Sequence, residues 1–212
     1  DHTHLPCPAG AARDTVHQHT LAAVSGSWWS GPMDDRGVPT SWQTDGAPNG
    51  YYLFHVEGTQ YTTQFVPQAG SSQGLLRISF DTLFYRYSPW AMRDYPWGEI
   101  GSRPLSIDQL GGAQVYVNLF DGGPRSRVFV QIGDRAEQEL TRIIENDPFA
   151  EELFFRAEGV RLNLTASPST HLWKGPLPAD LPAGVHVVTA RAIDEFGVEH
   201  NTRAILEVLS PQ

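Results

Sequence analysis

Two short histidine pairs near the start of the chain, His2-Thr3-His4 and His17-Gln18-His19, are the residues best suited to chemistry. A neutral imidazole offers a ring nitrogen to a metal ion, and Zn, Mn and Fe all accept mixed imidazole and carboxylate sets. Two imidazoles one residue apart on a tight loop can face two adjacent ions. The same spacing also arises by chance or from residues incidental to a chain terminus. The second pair sits just before an apolar run. It reads either as a polar approach to a sheet edge or as a pair that backs the first two histidines or faces a substrate. His55, His171, His186 and His200 stand singly on or beside strand-like segments, where packing accounts for them.

Other chemistries find less support. Ser25, Ser27 and Ser30 flank a tryptophan pair, but Gly26-Ser27-Trp28-Trp29-Ser30 lacks the second glycine of a nucleophile elbow. Walker, Rossmann and C-x-x-C patterns do not occur. Asp34, Asp35 and Asp45 lie in a Gly/Pro-rich loop without the ligand spacing of a calcium loop. Asn163-Leu164-Thr165 fits a glycosylation sequon, a pattern common by chance.

The composition limits the partners. Net charge is −9, and Lys174 is the single lysine among 15 basic residues, so no basic tract exists to neutralise a phosphate backbone. This argues against nucleic acid. No run of 18 apolar residues exists to span a bilayer as a helix. Cys7 is alone and cannot form an internal disulfide. The sequence opens without Met and inside a motif, as expected if the natural N-terminus lies further upstream.

The elements that must position the histidines read as short strands. Gly and Pro together make 36 residues and punctuate apolar stretches every few positions, the pattern of a mainly β chain. Leu21–Trp29 reads as a buried strand, with the Trp28 and Trp29 rings on opposite faces. Tyr51–Val56 and Gln60–Val66 form an expected hairpin across Glu57-Gly58-Thr59. Residues 67–74 read as a linker. Leu75–Phe84 fits a strand, and the aromatic-rich stretch through Trp97 fits an ordered connector. Gln114–Phe120 and Ser126–Ile132 alternate across DGGPR and suggest a second hairpin. Asp134–Glu145 carries Ala136, Leu140, Ile143 and Ile144 at helical spacing, with Asp134 as cap and Asp147-Pro148 as terminator. Val185–Ile193 and Glu199–Val208 form a closing hairpin of the sort found in immunoglobulin-like sandwiches.

Several of these stretches together resemble one family. They are His2-Thr3-His4, AAVSGSWWSGP (22–32), DGAPNGYYLF (45–54), HLWKGPLPADLPAGVH (171–186) and ARAIDEFG (190–197). Together they resemble the C-terminal portion of calcineurin-like metallophosphoesterases, in a bacterial subgroup with an appended β-sandwich. The resemblance spans nearly the whole chain, with 67–110 matching least. It implies that His2 and His4 each contact one of two divalent ions (Mn, Zn or Fe) that clamp a phosphoryl oxygen and activate a hydroxide. Asp1 stands where the family has Gly. The family's earlier motifs (Asp-x-His, Gly-Asp-x-x-Asp and Gly-Asn-His-Glu) are absent from this sequence.

Three units are therefore expected. Residues 1–66 would form the end of the phosphoesterase catalytic domain, with the last metal-ligand loop and closing strands. Residues 67–105 would be a connector, and 106–212 an immunoglobulin-like β-sandwich. The partners would be the remainder of the catalytic domain and a phosphate ester. This chain alone would hold no stoichiometric metal pair and would not be catalytic. The resemblance also suggests a periplasmic or secreted location. The alternative is a free-standing β-sandwich that binds glycans through Tyr85, Tyr87, Trp90, Tyr95 and Trp97, although those rings equally suit a groove between two domains.

Overall fold

The structure is a computed structural model that describes residues 2–6, 15–19, 21, 42–67, 74–81, 83–87, 98–156 and 165–211. The expected strand after Leu21, with Trp28 and Trp29, lies outside these residues. So do Asp34, Asp35, Asn163, Trp90, Tyr95 and Trp97.

The chain is mainly β. Its first strands are β1 (His2–Pro6), β2 (Thr15–His19), β3 (Gly50–Glu57), β4 (Gln60–Pro67), β5 (Leu76–Phe80), β6 (Leu83–Tyr87) and β7 (Gly98–Ser102). Then come β8 (Leu105–Ser106), β9 (Gln114–Leu119), β10 (Arg127–Ile132), β11 (Gln138–Glu139) and β12 (Thr141–Asn146). The helix α1 (Pro148–Arg156) precedes β13 (Pro168–Pro176), β14 (Gly184–Ile193) and β15 (Glu199–Leu209). No helix among the described residues is long and apolar enough to cross a membrane.

Two sheets share one core. One runs in the order β11-β10-β14-β15-β8 and the other in the order β12-β13-β9-β5. Val115, Val117 and Leu119 on β9 and Trp173 on β13 meet Val128 and Val130 on β10, Val188, Ala190 and Ala192 on β14, and Leu206 and Val208 on β15. These positions alternate along their strands, as a half-buried pleat requires. Each large apolar side chain buried there contributes about 1.5–3 kcal/mol relative to exposure. Leu76–Phe80, within the expected connector, pairs with β9 and adds Leu76 and Phe80 to this core.

Both expected hairpins form. β3 pairs with β4 from Gly50↔Pro67 to Glu57↔Gln60, with Gly58 at φ 59° in the turn. β14 pairs with β15 from Gly184↔Val208 to Ile193↔Glu199.

The expected hairpin across DGGPR does not form. β9 and β10 belong to different sheets, so the chain crosses the core at this corner. Both strands turn apolar residues inward from opposite sides, and their alternation is the same as that of a hairpin. Gly122 lets the corner close, since a Cβ there would lie 2.6 Å from Trp173.

The expected helix over Asp134–Glu145 is also corrected. This stretch is a turn followed by β11 and β12. β-Branched Thr141, Ile143 and Ile144 favour the pleat, and Thr141, Arg142 and Ile143 pair with Lys174, Trp173 and Leu172. The helix begins where the other was expected to end. Pro148 takes the first helical position, where its missing N–H costs nothing. Asp147 caps it, its Oδ1 accepting the Phe149 N–H at 2.8 Å and its carbonyl the Glu151 N–H at 2.9 Å.

Candidate functional site

The two histidine pairs lie on facing strands. β1 and β2 form an antiparallel ribbon in which His2 is opposite His19, Thr3 opposite Gln18, and His4 opposite His17. The register sets the two histidine pairs opposite each other on neighbouring strands.

The sandwich reaches this ribbon through Asp121, which follows β9. Its Oδ1 lies 3.3 Å from Nε2 of His19, and the side chains are only 11% and 7% exposed. The His19 ring also meets Tyr52 edge-on at 4.7 Å between centres and Phe54 at 5.9 Å. Burial, and then the charge and hydrogen bond of Asp121, push the Tyr52 phenol far above its ordinary value. Tyr52 packs in turn on Phe65, which joins Ala47 and Phe120 in a small apolar cluster.

Behind that cluster lies a buried polar network. Asp147 Oδ2 accepts from Arg77 Nη2 at 2.5 Å and from Asn118 Nδ2 at 2.6 Å. Asn118 Oδ1 lies 2.6 Å from His171 Nδ1, and His171 Nε2 lies 3.1 Å from Asp45 Oδ2. Asn118 Nδ2 also reaches the Asp45 carbonyl, and Arg77 Nη2 donates to the Gly46 carbonyl. Burial would raise the pKa of the half-buried Asp45 carboxyl. The hydrogen bond and charge of His171, together with the Ala47 N–H, outweigh burial and lower it. The guanidinium carbon of Arg77 stacks 3.8 Å from the Phe149 ring centre, with Phe120 at 5.2 Å and Trp42 at 5.4 Å. Burial lowers the Arg77 pKa against the opposing pull of Asp147.

The two constellations have different chemical capacities. Imidazoles with a carboxylate beside them are the donor types that divalent transition metals take, and His19 with Asp121 is such a pairing. Among the described residues, no group of three or more His, Cys, Asp or Glu side chains comes together to hold a metal ion. In the buried network every carboxylate already has a cationic or amide donor, an arrangement that fixes structure. Asp45 and His171 lie in stretches that carry the family resemblance, but pattern alone could not pair them across 126 residues. Asp121 gave no sequence signal beyond its place in a Gly-rich turn.

A family model described as the C terminal of calcineurin-like phosphoesterase matches residues 18–200. The match takes in His19, Asp45, Asp121 and His171, and begins after His2 and His4. No curated protein and no solved structure matches the chain significantly. The calcineurin-like family is generally metal-dependent. With most of its length matched, this chain belongs to the calcineurin-like phosphoesterase C-terminal family.

Proposed function

We propose that this chain is the C-terminal part of a metal-dependent phosphoesterase that hydrolyses phosphate esters. His2 and His4 hold two divalent ions (Mn, Zn or Fe) jointly with carboxylates from the rest of the catalytic domain. Residues 1–66 close that domain, and 106–212 form the appended immunoglobulin-like sandwich. The intervening 67–105 connects them, except for β5, which already pairs within the sandwich sheet. The observation that supports the reading is the ribbon register, in which His2 lies opposite His19 and His4 opposite His17, with a carboxylate 3.3 Å from His19.

In this reading His2 and His4 contribute neutral nitrogens, and His17 and His19 back them or face the substrate. When bound, the ions supply charge neutralisation at the phosphoryl group and a nucleophile derived from water. Two imidazoles without carboxylates cannot hold two divalent ions against their mutual repulsion, so the isolated 212-residue chain is not catalytic. The test is hydrolysis of p-nitrophenyl phosphate and its bis-ester by the complete enzyme, with metal content measured on the same samples. His2→Ala and His4→Ala should each lower the rate by orders of magnitude and deplete metal. His186→Ala should stay within a few-fold, because that ring bonds the Pro182 carbonyl at 2.8 Å on the sandwich. Normal turnover and metal content in the His2 and His4 variants would overturn the assignment.

A further inference from the structure

We propose that Asp121 is a positioning residue for the histidine ribbon, the point through which the C-terminal sandwich sets the geometry of the metal-facing histidines. This rests on the reading of His2 and His4 as metal ligands. The carboxylate belongs to the sandwich and His19 to the ribbon, yet the two meet at 3.3 Å with little exposure on either side.

The backbone around Asp121 is held on both sides. The Phe120 N–H donates to the Leu75 carbonyl at 3.0 Å, and the Gly122 N–H donates to the Leu119 carbonyl at 2.7 Å. Gly122 lies against Trp173, which is 2% exposed. A carboxylate on so fixed a corner cannot drift with the ribbon, so the ribbon adjusts to it. Tyr52 hydrogen-bonds the same carboxylate and packs edge-on against the His19 ring, closing a three-residue contact.

Holding His19 constrains more than one ring. His19 is the register partner of His2, and a slip of one residue between β1 and β2 would take each histidine out of line with its partner. Asp121 thus favours the register in which His2 lies opposite His19 and His4 opposite His17. A carboxylate directly behind a ligating histidine is typically worth about 10–100-fold in metal affinity, and Asp121 acts one step further out, through His19.

The experiment uses the complete enzyme loaded with Co2+ as a spectroscopic probe. Affinity is read by chelator competition, site geometry by the visible absorption bands, and integrity by thermal unfolding of the metal-free protein. Asp121→Asn should weaken Co2+ binding by up to about 10-fold, the low end for an outer partner, and shift the bands. Asp121→Glu retains the charge but moves it by one methylene, and should show a smaller loss with altered bands. Should the Asn variant fail to fold, the Glu variant carries the test. Unchanged affinity and bands in the folded variants, with His2→Ala abolishing binding, would overturn this inference and leave the ligand reading standing. Unchanged Co2+ binding in His2→Ala would instead remove the ligand reading and this inference with it.

Discussion

His171 Nε2 lies 3.1 Å from Asp45 Oδ2, joining the first turn of the Asp-Gly-Ala-Pro-Asn-Gly loop to the middle of β13. Asn118 fixes the chemistry of this pair. Its amide nitrogen faces two acceptors, the Asp147 carboxylate and the Asp45 carbonyl, so its oxygen must face His171 Nδ1. The His171–Asp45 and Arg77–Asp147 contacts are thereby bridged by one amide.

Breaking the first pair should be costly. His171 is 3% and Asp45 30% exposed, so part of the aspartate's charge can be rehydrated. His171→Ala is expected to cost about 2–4 kcal/mol in denaturant unfolding, below the full penalty for stranding a buried charge. Asp45→Asn should cost less, and a double-mutant cycle should show coupling of about 1 kcal/mol or more. Additive single effects would mean that the contact contributes nothing of its own.

Arg77 is the more severe case. It and Asp147 are 3% and 0% exposed, and the guanidinium is stacked among three rings. Arg77→Ala leaves the Asp147 carboxylate facing only Asn118 and the helix N-terminus, and removes stacking area as well. A loss of about 3–5 kcal/mol is expected. A loss below about 1 kcal/mol, the scale of surface ion pairs, would show that the network relaxes or admits water.

Glycine positions separate strain from crowding. Gly46 has φ 88°, and a Cβ there would lie 2.6 Å from Asp147 Oδ2 and 2.8 Å from Arg77 Nη2. Gly58 has φ 59° with nothing within 4 Å. Gly58→Ala should cost about 1–2 kcal/mol from the left-handed backbone alone. Gly46→Ala adds overpacking of about 1–3 kcal/mol to that strain. Equal melting temperatures for the two variants would refute the crowding.

Acid should reach this network through Asp45. Its carboxyl titrates below the ordinary 3.8 in the folded chain because the hydrogen bond and charge of His171 outweigh burial. A depressed folded pKa contributes stability that is fully present above the unfolded value and lost as pH falls through the folded value. Asp194 is lowered too, with His200 and the Val198 and Phe196 N–H groups outweighing burial. Unfolding free energy measured from pH 6 downward should therefore fall steeply once pH drops below 3.8. Asp45→Asn should flatten part of that acid limb, and an unchanged limb would show that Asp45 is not linked to folding.

The sequence was most legible where patterns are local. β14–β15 place a turn between two alternating runs and β3–β4 a turn between two strand-like runs, so pairing follows from local pattern and turn chemistry. The DGGPR stretch presents the same local pattern, but whether its strands pair or cross the core depends on β13 and β14, which arrive later in the chain. Leu140, Ile143 and Ile144 satisfy helical spacing, yet β-branched residues and an open edge on β13 settle the matter for a strand. The four histidines were visible as two pairs, and only register joins them. Asp121 and His171 depend on contacts between distant segments, which no spacing encodes.

The five-stranded sheet ends on both sides in strands of two residues, β11 and β8. In the four-stranded sheet, the outer strand β12 carries a register shift between Ile143 and Glu145. Long, flat outer strands would present rows of free N–H and C=O groups on which another copy of the chain could pair. Short or bulged ones offer only a bond or two before the match fails. Three of the sandwich's four borders are thus screened from edge-to-edge recruitment by brevity or irregularity, the fourth being the regular five-residue β5.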